Sequence, residues 1–324
     1  MAEKFKTMIG GQALIEGIMM RGPEKDAIVI RGKDGLTVEV NPRKKNDPKS
    51  FKSWPFFRGM FNFFDAQVTG VKALMRSADL APEEFQEEPS KFDLWLEKKL
   101  GSEKFQKALI GFSVALGLCM CVALFILLPS FLVGFLDQWI THPVLQNLIE
   151  GCVRVLIFTG YMLLVSRMSE MKRVFAYHGA EHKTIACYEA GLELTVENVK
   201  KQVRFHPRCG TSFMLIVMCV SILIMMLVQF DSRWLRFASR LILIPVIAGI
   251  SYELLRLAGT KENWFTNMMS KPGLLLQGLT TKEPDDDMIE VGIASVEAVF
   301  DWEKYLEENF GENNDTQTDS CTGC

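Results

Sequence analysis

The stretch from Ala108 to Leu136 carries no charged residue and is longer than the roughly 20 residues an α-helix needs to cross a bilayer core. Such a run has few ways to fold. In lipid its backbone must satisfy its own hydrogen bonds, and a single segment does that only as a helix. Pro129 lies inside it and is expected to kink it. Thr211 to Phe230 is a second charge-free run, rich in methionine. Pro143 to Ser166 is apolar but interrupted by Glu150 and Arg154, four apart and so able to pair on one helix face. Leu235 to Leu257 has Arg236 and Arg240 at one end and Glu253 and Arg256 at the other. These runs predict a mainly α membrane protein with four transmembrane helices in two hairpins, over 108–166 and 211–257.

The charges are segregated accordingly. The formal net charge is only −3, yet the ionic residues gather in the first hundred positions, in the segment between the middle helices, and in the tail. Segment 167–210 carries eight basic residues, the turn Asp137 to Thr141 none, and Asp231 to Trp234 one. The positive-inside rule then expects a multi-pass cell-membrane protein with both termini and segment 167–210 in the cytosol. The opening Met1-Ala-Glu-Lys-Phe-Lys6 has no apolar core of a secretory signal. Cys119, Cys121, Cys152 and Cys219 lie in apolar runs, where cysteine acts as a small hydrophobe, so no disulfide framework is expected.

Outside the apolar runs, residues 1–50 read as β-rich. Ile28-Val-Ile30 and Leu36-Thr-Val-Glu-Val40, joined by Arg-Gly-Lys-Asp-Gly, predict a hairpin. The preceding Gly10 to Gly22 reads as a buried strand with bulges, or as a strand whose glycines let another group approach closely, with Glu16 and Arg21 as its polar residues. Residues 51–107 form an amphipathic and charged helical region, aromatic at its start and helical in period from Arg58 to Leu80. That helix lies in the membrane surface or packs on the bundle. An acidic linker, Pro82 to Pro89, and a charged helix, Phe92 to Lys107, follow. In 258–324, a cytosolic C-terminal segment, Asn263 to Pro272 reads as interfacial and Pro284 to Phe300 as an amphipathic helix opening on Asp285 to Asp287. The tail from Glu307 is polar and expected to be disordered, and its closing Cys321-Thr-Gly-Cys324 lacks partner ligands.

Chemistry concentrates in segment 167–210. Of four histidines, His142 sits in a short turn, and the others are His178, His182 and His206. His178 and His182 are four apart and share a helix face, with Glu181 beside them. Two metal readings follow. His178, His182, His206 and Cys209 supply four nitrogen and sulfur ligands for a closed tetrahedral zinc site. Alternatively, His178-Gly-Ala-Glu-His182 matches the His-x-x-Glu-His order of inverzincin metalloproteases. That likeness makes the two histidines ligands and Glu181 the general base, and it needs a third, carboxylate ligand, for which Glu253 and Glu189 are candidates. A hydrogen-bonded polar network without metal is the plain alternative.

Gly10-Gly-Gln-Ala-Leu-Ile-Glu-Gly-Ile-Met-Met-Arg-Gly-Pro23, Tyr177-His-Gly-Ala-Glu-His-Lys183, His206-Pro-Arg-Cys-Gly-Thr-Ser212 and Ser251-Tyr-Glu-Leu-Leu-Arg256 together resemble the YqhQ family of bacterial integral membrane proteins. The resemblance covers nearly the whole chain. It implies a domain of unknown function predicted to be metal-dependent, and it directs attention to Glu16, Arg21, Glu253 and Arg256.

Two functions are therefore expected to compete. One is a zinc-dependent, hydrolytic membrane enzyme with its site at the cytosolic face, Glu181 as base, and a cationic rim of Lys183, Arg204 and Arg208. The other is a non-catalytic scaffold or accessory factor, stapled by structural zinc, whose cytosolic surfaces bind a ribosome- or translocon-like protein partner. A transporter is the weakest reading, since the spans offer only Glu150 and Arg154 at depth and no repeat is evident. The bilayer itself is the one lipid partner implied, and no specific nucleic-acid motif is present.

Overall fold

The computed structural model describes residues 9–43, 50–81, 102–136, 138–140, 142–206, 209–228, 233–260 and 264–301. The acidic linker, residues 92–101 of the charged helix, Arg208, and the tail with Cys321 and Cys324 lie outside the described residues. The chain divides into two compact units: Met1–Ala81 with Leu164–Val217 and Ile244–Cys324, and Pro82–Leu163 with Met218–Leu243.

The first unit opens with a four-stranded antiparallel meander: β1 (Gly10–Leu14), β2 (Gly17–Arg21), β3 (Lys25–Gly32) and β4 (Gly35–Pro42). The expected β3–β4 hairpin is present, with Gly32 paired to Gly35 and Gly35 at a φ of 119° that its missing Cβ permits. The glycine-rich segment is two strands rather than one. β1 and β2 pair without a break from Gly10–Arg21 to Leu14–Gly17 across the tight turn Ile15-Glu16. Neither turn residue is a usual hairpin residue, and Glu16 takes φ 50°. Tertiary contacts hold it there: its carboxylate accepts from Arg173 Nε at 2.7 Å, Arg173 Nη2 at 2.6 Å and the Tyr177 hydroxyl at 3.2 Å.

Those partners belong to α5 (Ser169–Glu189), which occupies the middle of the unit. Its apolar face packs with Ile18, Met20, Ala27 and Val29 of the sheet and with Ile289, Val291 and Val296 of α11 (Asp286–Glu297). Close packing requires small residues: a Cβ on Gly179 would meet the Lys282 carbonyl, and one on Gly292 would meet Thr184 Oγ1. α11 is the expected helix, with Asp285 as N-cap accepting from Met288 N at 3.0 Å. α1 (Phe57–Leu80) covers the other side of the sheet, where Ala73 meets Leu14 and Met19. It also packs on α9 (Ile244–Thr260), Gly59 lying against Tyr252, which fits the packed reading of the aromatic helix. α6 (Val196–Lys200) and α10 (Trp264–Thr280) complete this unit; the interfacial stretch expected before Pro272 is the first half of α10, which runs through that proline.

In the second unit, α2 (Ser102–Val122) passes through a π-helical stretch, Ala123–Leu127, into α3 (Leu128–Gly134). The widened turn directly precedes Pro129, which has no N–H to give to an α-helical bond. α4 (Pro143–Val165) follows, and α7 (Gly210–Leu227) begins in the first unit and ends in the second. Among the described residues three helices are long and apolar enough to cross a membrane: Gly111–Gly134, Pro143–Val165 and Gly210–Leu227. The fourth expected span is corrected. Its residues divide at Leu243 between α8 (Arg233–Ile242) and α9. Pro245 sits in the first turn of α9, where its missing N–H breaks no helical bond, and it thereby favours a new helix over continuation of the old one.

Because Glu16 is buried and holds both α5 and a left-handed turn, Glu16→Ala is expected to destabilise the protein by about 2–4 kcal/mol. Arg173→Ala should cost a comparable amount, because it leaves the buried Glu16 carboxylate without its charge partner. Denaturant unfolding of purified protein measures both, and a Glu16→Ala variant as stable as the parent would remove this clamp from the account.

Candidate metal centre

From Phe175 to Tyr188 α5 is buried nearly all round although it reads Tyr177-His-Gly-Ala-Glu-His-Lys183, so the polar groups there need partners. The i, i+4 spacing places the His178 and His182 rings with centroids 4.4 Å apart. His178 Nδ1 lies 2.8 Å from the Thr280 carbonyl, and His182 Nδ1 lies 2.6 Å from the Arg204 carbonyl. A carbonyl only accepts, so in each ring Nδ1 carries the proton and, in the neutral form, Nε2 presents a lone pair.

One of those lone pairs meets Cys209, the residue just before α7. His178 Nε2 is 3.1 Å from Cys209 Sγ, and the ligand atoms of His178, His182 and Cys209 all fall within 4.8 Å of one another. A tetrahedral zinc with ordinary bond lengths sets its nitrogen and sulfur ligands about 3.3–3.6 Å apart, so the 3.1 Å pair would part slightly and the widest pair would close by about 1 Å. Thr280 O and Arg204 O are the outer contacts that fix a ligand's tautomer and orientation. On donor type and tautomer the residues fit a metal, with a rearrangement of about 1 Å to close the widest pair.

His206 stands beside this group. Its ring is 5.6 Å from that of His182, and its Nε2 faces Glu189 Oε2 at 3.8 Å. Its backbone is clamped by Gln277 of α10, which accepts from His206 N at 2.8 Å and donates to His206 O at 2.7 Å and Ser212 Oγ at 2.9 Å. Sequence reasoning did not find Gln277. A buried glutamine in an apolar helix was the only signal it left.

Glu181 faces the sheet. Its Oε1 accepts from Gly11 N at 2.9 Å, and Oε2 is buried with no partner among the described residues. A Cβ on Gly11 would come within 2.9 Å of the Glu181 carboxylate, which bears out the close-approach reading of that strand. Burial pushes the Glu181 carboxyl above the usual range, against the opposing pull of His178 and the Gly11 amide.

The other predicted residues lie elsewhere. Glu253 is taken by Arg58, at 2.7 Å from Nε and 2.5 Å from Nη2, and by Phe56 N at 3.3 Å, so it is not brought to the histidines. Arg21 pairs with Asp65 at 2.8 Å, and Arg256 is exposed. The expected cationic rim is corrected: Lys183 is buried, bonded to Glu283 and to Lys200 O at 3.0 Å, and Arg204 reaches the same Glu283 at 3.1 Å. Burial opposes ionisation of Glu283, but these two cations hold its carboxyl below the usual range.

Comparison with known proteins places this architecture. The family model described as "Protein of unknown function (DUF1385)" matches residues 54–302. The chain is 37% identical over 317 residues to "Uncharacterized protein YqhQ" of Bacillus subtilis (strain 168), covering 94% of this chain and 96% of that relative. No solved structure matches. The chain belongs to the DUF1385 family, of which YqhQ is a relative along nearly its whole length.

Proposed function

We propose that His178, His182 and Cys209 hold a divalent transition metal, with zinc favoured by two imidazoles and a thiolate, in a hydrolytic centre where Glu181 accepts the proton. The observation that carries the metal is the pair of Nδ1–H bonds to Thr280 O and Arg204 O, which leaves both Nε2 atoms free to bind, together with ligand atoms of His178, His182 and Cys209 within 4.8 Å of one another. Three protein ligands leave one tetrahedral position for a substrate, the pattern of catalytic rather than closed sites. The bound metal supplies Lewis-acid polarisation of a substrate carbonyl or phosphoryl oxygen. Glu181 is one helical turn from His178, with one oxygen fixed by Gly11 N and the other free to take a proton.

A second reading rests on His206, whose ring lies 5.6 Å from that of His182. Rotated into the group, it closes a four-ligand structural centre. The chain is then a non-catalytic scaffold, and the exposed Leu36, Val38 and Val40 of β4 are the surface for a ribosome- or translocon-like partner. Metal analysis separates the two. Purified protein is expected to hold about one equivalent of metal, lost in His178→Ala, His182→Ala and Cys209→Ala. His206→Ala keeps the metal in the open site and loses it in the closed one, and a metal-free parent protein contradicts both.

We also propose that the protein sits in the cell membrane with both termini cytosolic. Three spans alone would put the termini on opposite sides; both ends in the cytosol require one further crossing within 233–260, and the eight basic residues of 167–210 support the orientation. Reporter fusions to either end should both read cytosolic. An external C-terminus would leave three crossings.

A further inference from the structure

The second unit holds a charge cluster that the metal centre does not use. Glu150 of α4 accepts from Arg154 Nη2 at 3.0 Å, from Arg240 Nη2 of α8 at 2.6 Å and from Ser130 Oγ at 3.1 Å. All three charged side chains are at least 86% buried by the protein itself, in a unit built from the apolar helices. Two guanidiniums against one carboxylate leave a net positive charge among the described residues. Isolated charge in apolar surroundings is costly, and such sites ordinarily complete their pairing. Arg154 is also short of acceptors among the described residues: Nη1 reaches Ser221 Oγ at 3.3 Å, and its buried Nε has none there. The cluster lies about 10 Å along α4 from its Pro143 end, within reach of the headgroup region of a bilayer that the helices cross.

We propose that Arg154 and Arg240 form a binding site for a phosphate oxyanion, from a lipid headgroup or free in solution, which supplies the missing negative charge. Planar guanidiniums suit phosphate oxygens by their forked donors. Glu150 fixes the two arginines beside each other and competes with the anion for them.

The test is thermal unfolding of full-length protein in non-ionic detergent with added short-chain phosphatidic acid or inorganic phosphate. Saturating anion is expected to raise Tm by about 3 °C or more. A response to the lipid alone assigns the headgroup, and an equal response to both assigns free phosphate. R154Q and R240Q should weaken the response about tenfold, R154K and R240K less. E150Q provides the reading that a purely structural triad would not give: with the competing carboxylate gone, half-saturation should fall to lower anion concentration. If neither anion shifts Tm, or E150Q is destabilised with no gain in anion response, the cluster is a structural ion triad and the proposal is overturned.

Discussion

The first unit depends on the burial of one polar helix. α5 carries Arg173, Tyr177, His178, Glu181, His182 and Lys183, and a helix of that composition stays in a protein interior only if its surroundings satisfy it group by group. Glu16 takes Arg173 and Tyr177, Gly11 N takes Glu181, Thr280 O and Arg204 O take the two imidazoles, and Lys200 O with Glu283 takes Lys183. These partners come from the N-terminal sheet, the end of α6 with the segment after it, and the end of α10 with the stretch before α11. Chain segments far apart in sequence are held together because each completes one polar requirement of α5.

That arrangement also explains the chemistry available. Bonds made through Nδ1 remove the rotational freedom of both histidines and leave both Nε2 atoms unprotonated in the neutral form, that of His178 against Cys209. The site is therefore organised before any ligand arrives. Glu181 is the exception within the helix, satisfied at one oxygen and, among the described residues, unpartnered at the other. An unsatisfied buried carboxylate oxygen costs stability, and the chain bears that cost one turn from His178.

Much of this was legible in the sequence where the signal was local. Four-residue spacing put His178 and His182 on one face, uncharged runs marked two of the long apolar helices, and Lys33-Asp34-Gly35 marked the β3–β4 turn. What failed depended on partners distant in the chain. Ile15-Glu16 has no turn signature because Arg173 and Tyr177, not local propensity, hold Glu16 in place. Glu253 resembled a free ligand because nothing near it in sequence announces Arg58. Lys183 read as a surface cation because its carbonyl partner and Glu283 arrive from other elements. The Leu235–Leu257 run read as a span by hydropathy, which does not register the helix start that Pro245 favours.

The account stands most directly on the ligand set, and cobalt(II) substitution reads it without knowledge of a substrate. Cobalt loaded into the purified protein is expected to show an intense near-ultraviolet sulfur-to-metal band and the strong visible bands of tetrahedral coordination, with the sulfur band lost in Cys209→Ser. A spectrum of octahedral, sulfur-free cobalt, unchanged in Cys209→Ser, would contradict a metal centre at His178, His182 and Cys209.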